Sequence, residues 1–308
     1  MRRGFEFSFS WLFSLIVGAL ILILAIYGVS TFVGQERTIS DSETAQALSG
    51  LLSPLQTSVE TSFRPNPIIF PQATEITLGC TRDASSVQTR ALSSIGRNSV
   101  PGYAQETAGV AVFGNTTLTG TTVHSLVVPF LFPYKISDLV IVWTQPLCLV
   151  SAPEAVLDTF GSDNHSVQAV QQVRGCRKGT RIICFDQTQG CDVAVDSYLR
   201  RVTTGGKSLY YEGALLYGAL VASPQVYECQ IGVLMHRGAA LADLYAGASA
   251  LIGAHGEGCS TAVGTSVVQY GRSLRSTNSS KQLAGLAEQA EILGTDERSS
   301  ICSLWRNA

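Results

Sequence analysis

The sequence predicts an α+β fold: an N-terminal transmembrane helix and helical stalk, a mixed or antiparallel β-sheet region, and C-terminal helices packed on it. Three observations carry this prediction. Residues 11–33 are an uncharged apolar run. Residues 72–205 break into short apolar stretches separated by Gly, Ser, Thr, Asn and Asp, and beyond residue 207 the apolar residues recur at helical spacing. The chain thus divides into a cytoplasmic N-terminus (1–10), a transmembrane helix (11–33), a helical stalk (34–64), a β-rich extracytoplasmic region (65–206) and a helical C-terminal part of the same ectodomain (207–308).

The run from Trp11 to Val33 is 23 residues long. At about 1.5 Å per residue it matches a hydrocarbon core of about 30 Å, which makes the lipid bilayer the first expected partner. Arg2 and Arg3 precede the run, and Glu36 stands ahead of Arg37 behind it. The positive-inside bias therefore predicts a single-pass protein of the cell membrane with its N-terminus in the cytoplasm and its ectodomain outside. Gly28-Val29-Ser30 offers small residues for a signal peptidase, but the run exceeds an ordinary h-region of about 7–15 residues, favouring an uncleaved signal-anchor. Ser14 and Gly18, and likewise Ser30 and Gly34, put small residues on one helix face, making them candidates for close helix packing and self-association through the anchor.

Composition agrees with a place in an envelope. The 308 residues are 45% hydrophobic and 14% charged, against about 25% charged in an average soluble domain. Of the charged residues only Arg2, Arg3 and Glu6 fall within 1–34, so the low charge belongs to the exported part. Its polarity comes largely from hydroxyls: 58 Ser and Thr stand against 44 charged residues in the whole chain. A net charge of −2 lacks the broad positive field that nucleic-acid binding requires.

After the anchor, Ser40-x-x-Glu43 reads as a capping box, followed by Leu48, Leu51, Leu52, Leu55 and Val59 at helical spacing, with Pro54 as a kink. Pro65, Pro67 and Pro71 end this stalk and open an extended region. Strands are expected at 75–80, 108–113, 123–132, 136–144, 181–185 and 192–198. The last alternates acidic and apolar residues, and the Val127–Phe132 run is apolar on both faces and so belongs in a covered, central strand. A helix is expected near 154–160, continuing or restarting around 166–173. Ser223-Pro224 marks the start of a long amphipathic helix whose apolar set includes Val226, Val233, Leu234, Leu241, Leu244, Tyr245, Leu251 and Ile252. It should end near 253–258, with further helices at 261–274 and 281–293. No internal repeat is present.

Eight cysteines follow the anchor and none precedes or lies in it: Cys80, Cys148, Cys176, Cys184, Cys191, Cys229, Cys259 and Cys302. An even count confined to the exported side predicts disulfides in an oxidising compartment, and no CxxC pair favours zinc. The Cys176–Cys191 cluster is expected to staple neighbouring strands and Cys302 to tie the tail to the helical region. Sequons at Asn115, Asn164 and Asn278 fall on the same side and are glycosylation candidates.

Two resemblances are visible. Phe5-Glu6-Phe7-Ser8-Phe9-Ser10-Trp11 running into Ile16-Val17-Gly18, with Pro224-Gln225-Val226-Tyr227-Glu228-Cys229 and the final Cys302-Ser303-Leu304-Trp305, resembles a family of archaeal single-pass membrane-anchored surface proteins. That likeness implies a cell-surface setting and carries no substrate, cofactor or catalytic residue. Arg2-Arg3-Gly4-Phe5 resembles the basic-Gly-aromatic junction cut in type IV pilins, although the glutamate usual at the fifth mature position is replaced here by Phe9, with Glu6 at the second.

Motifs for chemistry are incomplete. Gly205-Gly206-Lys207-Ser208 lacks the first glycine of a phosphate loop, whose place is taken by Arg201, and reads as a turn before a helix. His255-Gly256-Glu257 has the H-x-E of zinc deaminases without the P-C-x-x-C half, and reads as a helix end. There is no G-x-S-x-G, and His124, His165, His236 and His255 are scattered; His124 in a strand and His236 in a helix read as structural, and His165 in a sequon as exposed. Asp158 and Asp163 are close in sequence only. Arg174, Arg177, Lys178 and Arg181, with Arg200 and Arg201, are the one basic concentration, read as a solvated loop between disulfide-linked strands. No cofactor is expected. The leading expectation is an interaction or envelope-architecture role with envelope proteins or glycans as partners. The alternatives are a pilin-like filament subunit and a membrane-tethered extracytoplasmic hydrolase.

Overall fold

The computed structural model describes residues 13–28, 66–81, 84–92, 105–108, 111–161, 166–254, 261–299 and 304–305. Among them are six α-helices and two six-stranded mixed sheets, an α+β architecture. The first helix, α1, covers 13–28 and exposes every residue, Ser14 and Gly18 included. At 1.5 Å per residue it is about 24 Å long. No helix among the described residues is long and apolar enough to cross a membrane. The flanks of the expected span, with Ser30 and Gly34, the stalk and the pilin-like junction, lie outside the described residues.

Sheet A runs in the order β3 (Gln105–Ala108), β2 (Ala84–Ala91), β1 (Asn66–Cys80), β5 (Thr117–Leu131), β6 (Lys135–Trp143), β4 (Ala111–Phe113), all antiparallel except the β4–β6 pair. β1 and β5 are 15-residue strands, much longer than the expected 75–80 and extending 123–132 backward. The added end of β1 sets Ile68, Ile69 and Phe70 side by side between Pro67 and Pro71, and that of β5 is rich in Thr, so neither alternates strongly enough to mark a strand in sequence. Pro129 occupies β5 without breaking it because β1 pairs with β5 only from Ser125 back to Thr117, so in the described structure Pro129 pairs on one side alone, with Asp138. Of the Val127–Phe132 run only one face is fully covered; on the other Val127 is half-buried against a second cluster and Leu131 is exposed. Leu126, Val128 and Phe130 join the main core, and Leu118 and Val123 a second cluster with Ile76, Leu78, Val140 and Val142.

Sheet B follows after only three residues, in the order β12 (Lys207–Tyr210), β11 (Arg201–Thr204), β10 (Val193–Asp196), β9 (Arg181–Phe185), β7 (Leu147–Val150), β8 (Val167–Val170). β10, β9, β7 and β8 are mutually parallel, while β11 and β12 return as antiparallel hairpins. Two expectations fail here. The stretch 166–173 forms β8 and a one-turn 3-10 helix at Val173–Gly175, not an α-helix, because Val167 and Ala169 are taken up by parallel pairing with β7. Helical structure begins at Leu215, not 207. Gly205 and Gly206 at φ +53 and +72 make the tight β11–β12 hairpin turn, so the Gly-Gly-Lys-Ser stretch joins two strands.

The two faces of sheet B are covered differently. Leu147, Leu149, Ile183, Phe185, Val193 and Val195 point into the main core, beneath α2 (Glu154–Phe160) and α3 (Leu215–Val221). Cys148, Val150 and Cys184 point the other way. There the β8–β9 and β9–β10 connections lie across the sheet, held by Cys148–Cys176 and Cys184–Cys191, with Val170, Val173 and Ile182 packed between them. Where a doubly wound sheet would carry helices on this face, this one carries two disulfide-stapled loops. Cys80–Cys229 joins the end of β1 to the long helix α4 (Pro224–Ala254). Six of the eight predicted cysteines are therefore paired, but the Cys176–Cys191 cluster does not staple strand to strand: Cys176 and Cys191 lie in the β8–β9 and β9–β10 connections and tie these loops to Cys148 on β7 and Cys184 on β9. Cys259 and Cys302 lie outside the described residues.

α4 starts where expected, with the Tyr227 amide donating to the Ser223 carbonyl. It packs on β4, β6 and β12, and α5 (Thr261–Ser276) and α6 (Leu283–Ser299) follow as a helical layer. The Tyr134 hydroxyl donates to the Gly238 carbonyl (2.6 Å) and the Tyr270 hydroxyl to the Phe132 carbonyl (2.9 Å), pinning the β5–β6 turn to α4 and α5. The tail returns to the same place, where Trp305 packs against Tyr134 and Tyr245 at ring separations of 5.6 and 5.4 Å. Leu244 and Leu251, expected on the buried face of α4, are instead 69% and 67% exposed. α4 is apolar on more than one side, and a 3.6-residue period alone cannot say which side faces the core.

Candidate functional site

In sheet B the strand order places β8 on one side of β7 and β9 on the other, so the chain reverses direction between β7 and β9. In open α/β sheets ligands gather at such a switch point, outside the carboxyl ends of the strands. Those ends are built here with backbone that only a few residues tolerate. Ser151 after β7, Asp186 after β9 and Arg200 before β11 have φ of +53, +56 and +47.

The edge is organised around the β10–β11 turn. Asp186 Oδ1 accepts from the Ser197 amide (2.8 Å), and Asp196 Oδ1 from the Leu199 amide (2.9 Å). Asp196 Oδ2 pairs with Arg201 Nη2 at 3.2 Å. Arg200 pairs with Glu212, and its carbonyl accepts from the Tyr211 amide at 3.0 Å. Both backbone donors and the return of the chain are thus held by side chains and backbone outside the turn. Held in this way, Tyr198 stands 94% exposed and Leu199 48% exposed. Beneath them Tyr211 and Glu212 are buried. Burial pushes the Tyr211 hydroxyl above its ordinary pKa, reinforced by the carboxylates of Asp186, Asp196 and Glu212 against the opposing Arg200. Burial also raises the Glu212 carboxyl, and the Arg200 ion pair and hydrogen bond only partly offset it.

The Ser151 hydroxyl donates to the Gln171 carbonyl (3.1 Å), so no base activates it. Among the described residues no three His, Cys, Asp or Glu converge to hold a metal ion.

The predicted residues distribute as follows. Arg200 and Arg201 belong to this edge with their charges paired. Arg181 points inward at the opposite end of β9, donating to Asn115 Oδ1 (3.2 Å), the Val221 carbonyl (2.7 Å) and Thr204 Oγ1 (3.4 Å). Burial lowers its pKa, against which Asp192 acts. Arg174, Arg177 and Lys178 remain exposed on the stapled β8–β9 loop, so the basic residues form no single patch. Asn115 is half-buried beside Arg181, and Asn278 is exposed. The hydroxyl of Ser280, two residues on from Asn278, is buried, donating to Glu228 Oε1 (2.6 Å) and accepting from the Tyr210 amide (3.1 Å). His124 stacks on Trp143 with its pKa lowered by burial, His236 is exposed, and Asp158 is exposed on α2. Asn164, His165, Asp163 and the 255–259 stretch lie outside the described residues. Sequence reading missed Asp186, Tyr198, Tyr211 and Glu212; the acidic–apolar alternation of 192–198 was the one signal that pointed there.

Comparison with protein-family models, curated proteins and solved structures gives no match.

Proposed function

We propose that this chain is a membrane-anchored extracytoplasmic recognition protein, held by the apolar segment 11–33 and presenting a disulfide-stapled ectodomain to the cell envelope. Three disulfides, Cys80–Cys229, Cys148–Cys176 and Cys184–Cys191, support an oxidising compartment. The described helix 13–28, uncharged and exposed along its whole length, supports an anchor within the apolar segment 11–33. The archaeal surface-protein likeness and the hydroxyl-rich, charge-poor composition agree with that setting.

One observation carries the recognition role: Tyr198 stands 94% exposed on a turn whose amides at 197 and 199 are both tied to aspartates. A bare tyrosine on a pre-organised turn loses little freedom on binding, which is how such residues become the anchors of interfaces. Because Arg200 and Arg201 are already paired, contact there is made by the ring and Leu199, which suits a sugar face or an apolar pocket on an envelope protein.

The test is retention of the detergent-solubilised full chain on envelopes from the same cells. Tyr198→Ala should weaken retention by at least about tenfold while leaving the melting temperature unchanged. Equal retention of the variant and the native chain removes the turn from the proposed contact.

A further inference from the structure

The sequon Asn278-Ser279-Ser280 lies in the connection between α5 and α6, and its two ends are placed oppositely by the fold. Asn278 is exposed. Its backbone amide donates to Gln282 Oε1 (3.0 Å), and among the described residues its carboxamide has no hydrogen-bond partner. Ser280 is 0% exposed. Its hydroxyl donates to Glu228 Oε1 (2.6 Å) and accepts from the Tyr210 amide (3.1 Å), while its own amide donates to Glu228 Oε2 (2.8 Å). The sequon thus ends in a one-turn 3-10 helix, Ser280–Gln282, clamped between α4 and β12. The other described sequon has the reverse arrangement: Asn115 is half-buried with Oδ1 accepting from Arg181 at 3.2 Å, and Thr117 at its third position is exposed.

An asparagine-linked oligosaccharide is added by a transferase that reads the hydroxyl two residues beyond the asparagine, with the segment between them extended. In the folded chain the nitrogen to be modified is accessible and the hydroxyl to be read is not. We infer that Asn278 carries an N-linked oligosaccharide, and that it is added before Ser280 closes onto Glu228 and Tyr210. The donor is a lipid-linked oligosaccharide. Asn278 Nδ2 bonds to C1 of the first sugar, the C1–O bond to the lipid phosphate breaks with its electron pair leaving on the phosphate, and the nitrogen gives up a proton. The finished fold tolerates the product, because a sugar on this exposed carboxamide displaces no hydrogen bond of the side chain.

The order of events follows from the clamp. Tyr210 and Glu228 both precede Ser280 in the chain, so nothing beyond the helical layer is needed for the clamp to close, and transfer competes with that closure. Once it has closed, the hydroxyl is released only when its bonds to Glu228 and Tyr210 open together, along with the Ser280 amide bond to the same carboxylate. The folded chain is therefore a poor acceptor and the unfolded chain a good one. The inference rests on the proposed export of the domain, since the donor and its transferase act on the exported side.

Mass spectrometry of the full chain from its own cells reads the site, because cleavage after Arg275 and Lys281 isolates residues 276–281 with Asn278 as their one asparagine. That peptide should carry a glycan. The order is read by offering the unmodified full chain, made in bacteria without a transferase, to membranes of those cells with their lipid-linked oligosaccharide. The reduced, unfolded chain should be modified at Asn278 at least about tenfold faster than the oxidised, folded chain. Glu228→Ala, still folded by circular dichroism, should narrow that gap, and in the unfolded chain Ser280→Thr should keep the modification while Ser280→Ala abolishes it. Equal modification of folded and unfolded chains overturns the order of events. A bare Asn278 on chains whose exposed Lys178 and Lys207 are labelled in intact cells overturns the glycan and leaves export standing. A bare Asn278 with those lysines reached only after lysis overturns export, and the inference with it.

Discussion

The three disulfides close loops of very different length, and that difference predicts a ranking. Cys80 and Cys229 are 149 residues apart, Cys148 and Cys176 28, and Cys184 and Cys191 7. If a cross-link acts by removing loop-closure entropy from the unfolded chain, the three contribute about 5, 3.5 and 2.5 kcal/mol. The two short loops lie inside the long one, but they shorten its path by less than a quarter and change the first figure by only a few tenths. Each pair is replaced by alanine in the full chain, and urea unfolding is followed by circular dichroism in mild detergent. Cys148 and Cys184 are fully buried, so the two inner variants also lose packed sulfur, of order 1 kcal/mol. This second effect works against the ranking and makes the comparison strict. The Cys80/Cys229 variant should still be the least stable and the Cys184/Cys191 variant the most. A Cys184/Cys191 variant as destabilised as the Cys80/Cys229 variant would refute the reasoning and locate the stabilisation in the native packing of the loops.

Other perturbations read single joints. Asp196→Ala frees the Leu199 amide and the Arg201 guanidinium, and should cost about 1–2 kcal/mol and speed hydrogen exchange at Leu199. Glu228 accepts from both the amide (2.8 Å) and the hydroxyl of Ser280, joining α4 to the α5–α6 connection, so Glu228→Ala should cost about 2–3 kcal/mol in urea unfolding. A Cβ at Gly218 would lie 2.7 Å from the buried ring of Phe113, so Gly218→Ala should cost about 1–3 kcal/mol by overpacking. His124 is held neutral by burial, below its ordinary pKa of 6.5. The unfolded chain binds the proton first, so stability should fall as pH drops below 6.5, and His124→Gln should flatten that slope in thermal melts at pH 5–7.

Local signals were legible and non-local ones were not. Glu154–Phe160 and Arg181–Phe185 emerge at the expected positions because a short helix after a proline and a β-branched run announce themselves within a few residues. The start of α4 is marked as plainly by Ser223-Pro224. β2, β3, β7 and β11 are not legible, and β8 and β12 fall where helix is expected, because Ala84–Ala91 and Arg201–Thr204 are polar and the parallel strands owe their pairing to partners elsewhere in the chain. The candidate site shares that cause. Asp186, Asp196 and Glu212 converge only once β9 lies beside β10, so no spacing in the sequence brings them together. Arg200 and Arg201 were noticed as charge, and their partners Glu212 and Asp196 turn that charge into scaffolding.

Labelling of intact cells with a membrane-impermeant amine reagent tests the export of this domain most directly. Lys178, Lys207 and Lys281 are exposed on the folded domain and lie on three different elements. If the domain is outside, all three are modified in intact cells, and the protein isolated without reductant keeps Cys80, Cys148, Cys176, Cys184, Cys191 and Cys229 unreactive toward thiol reagents. Modification of the lysines only after lysis, with those six thiols free, contradicts export, oxidation and the recognition role together.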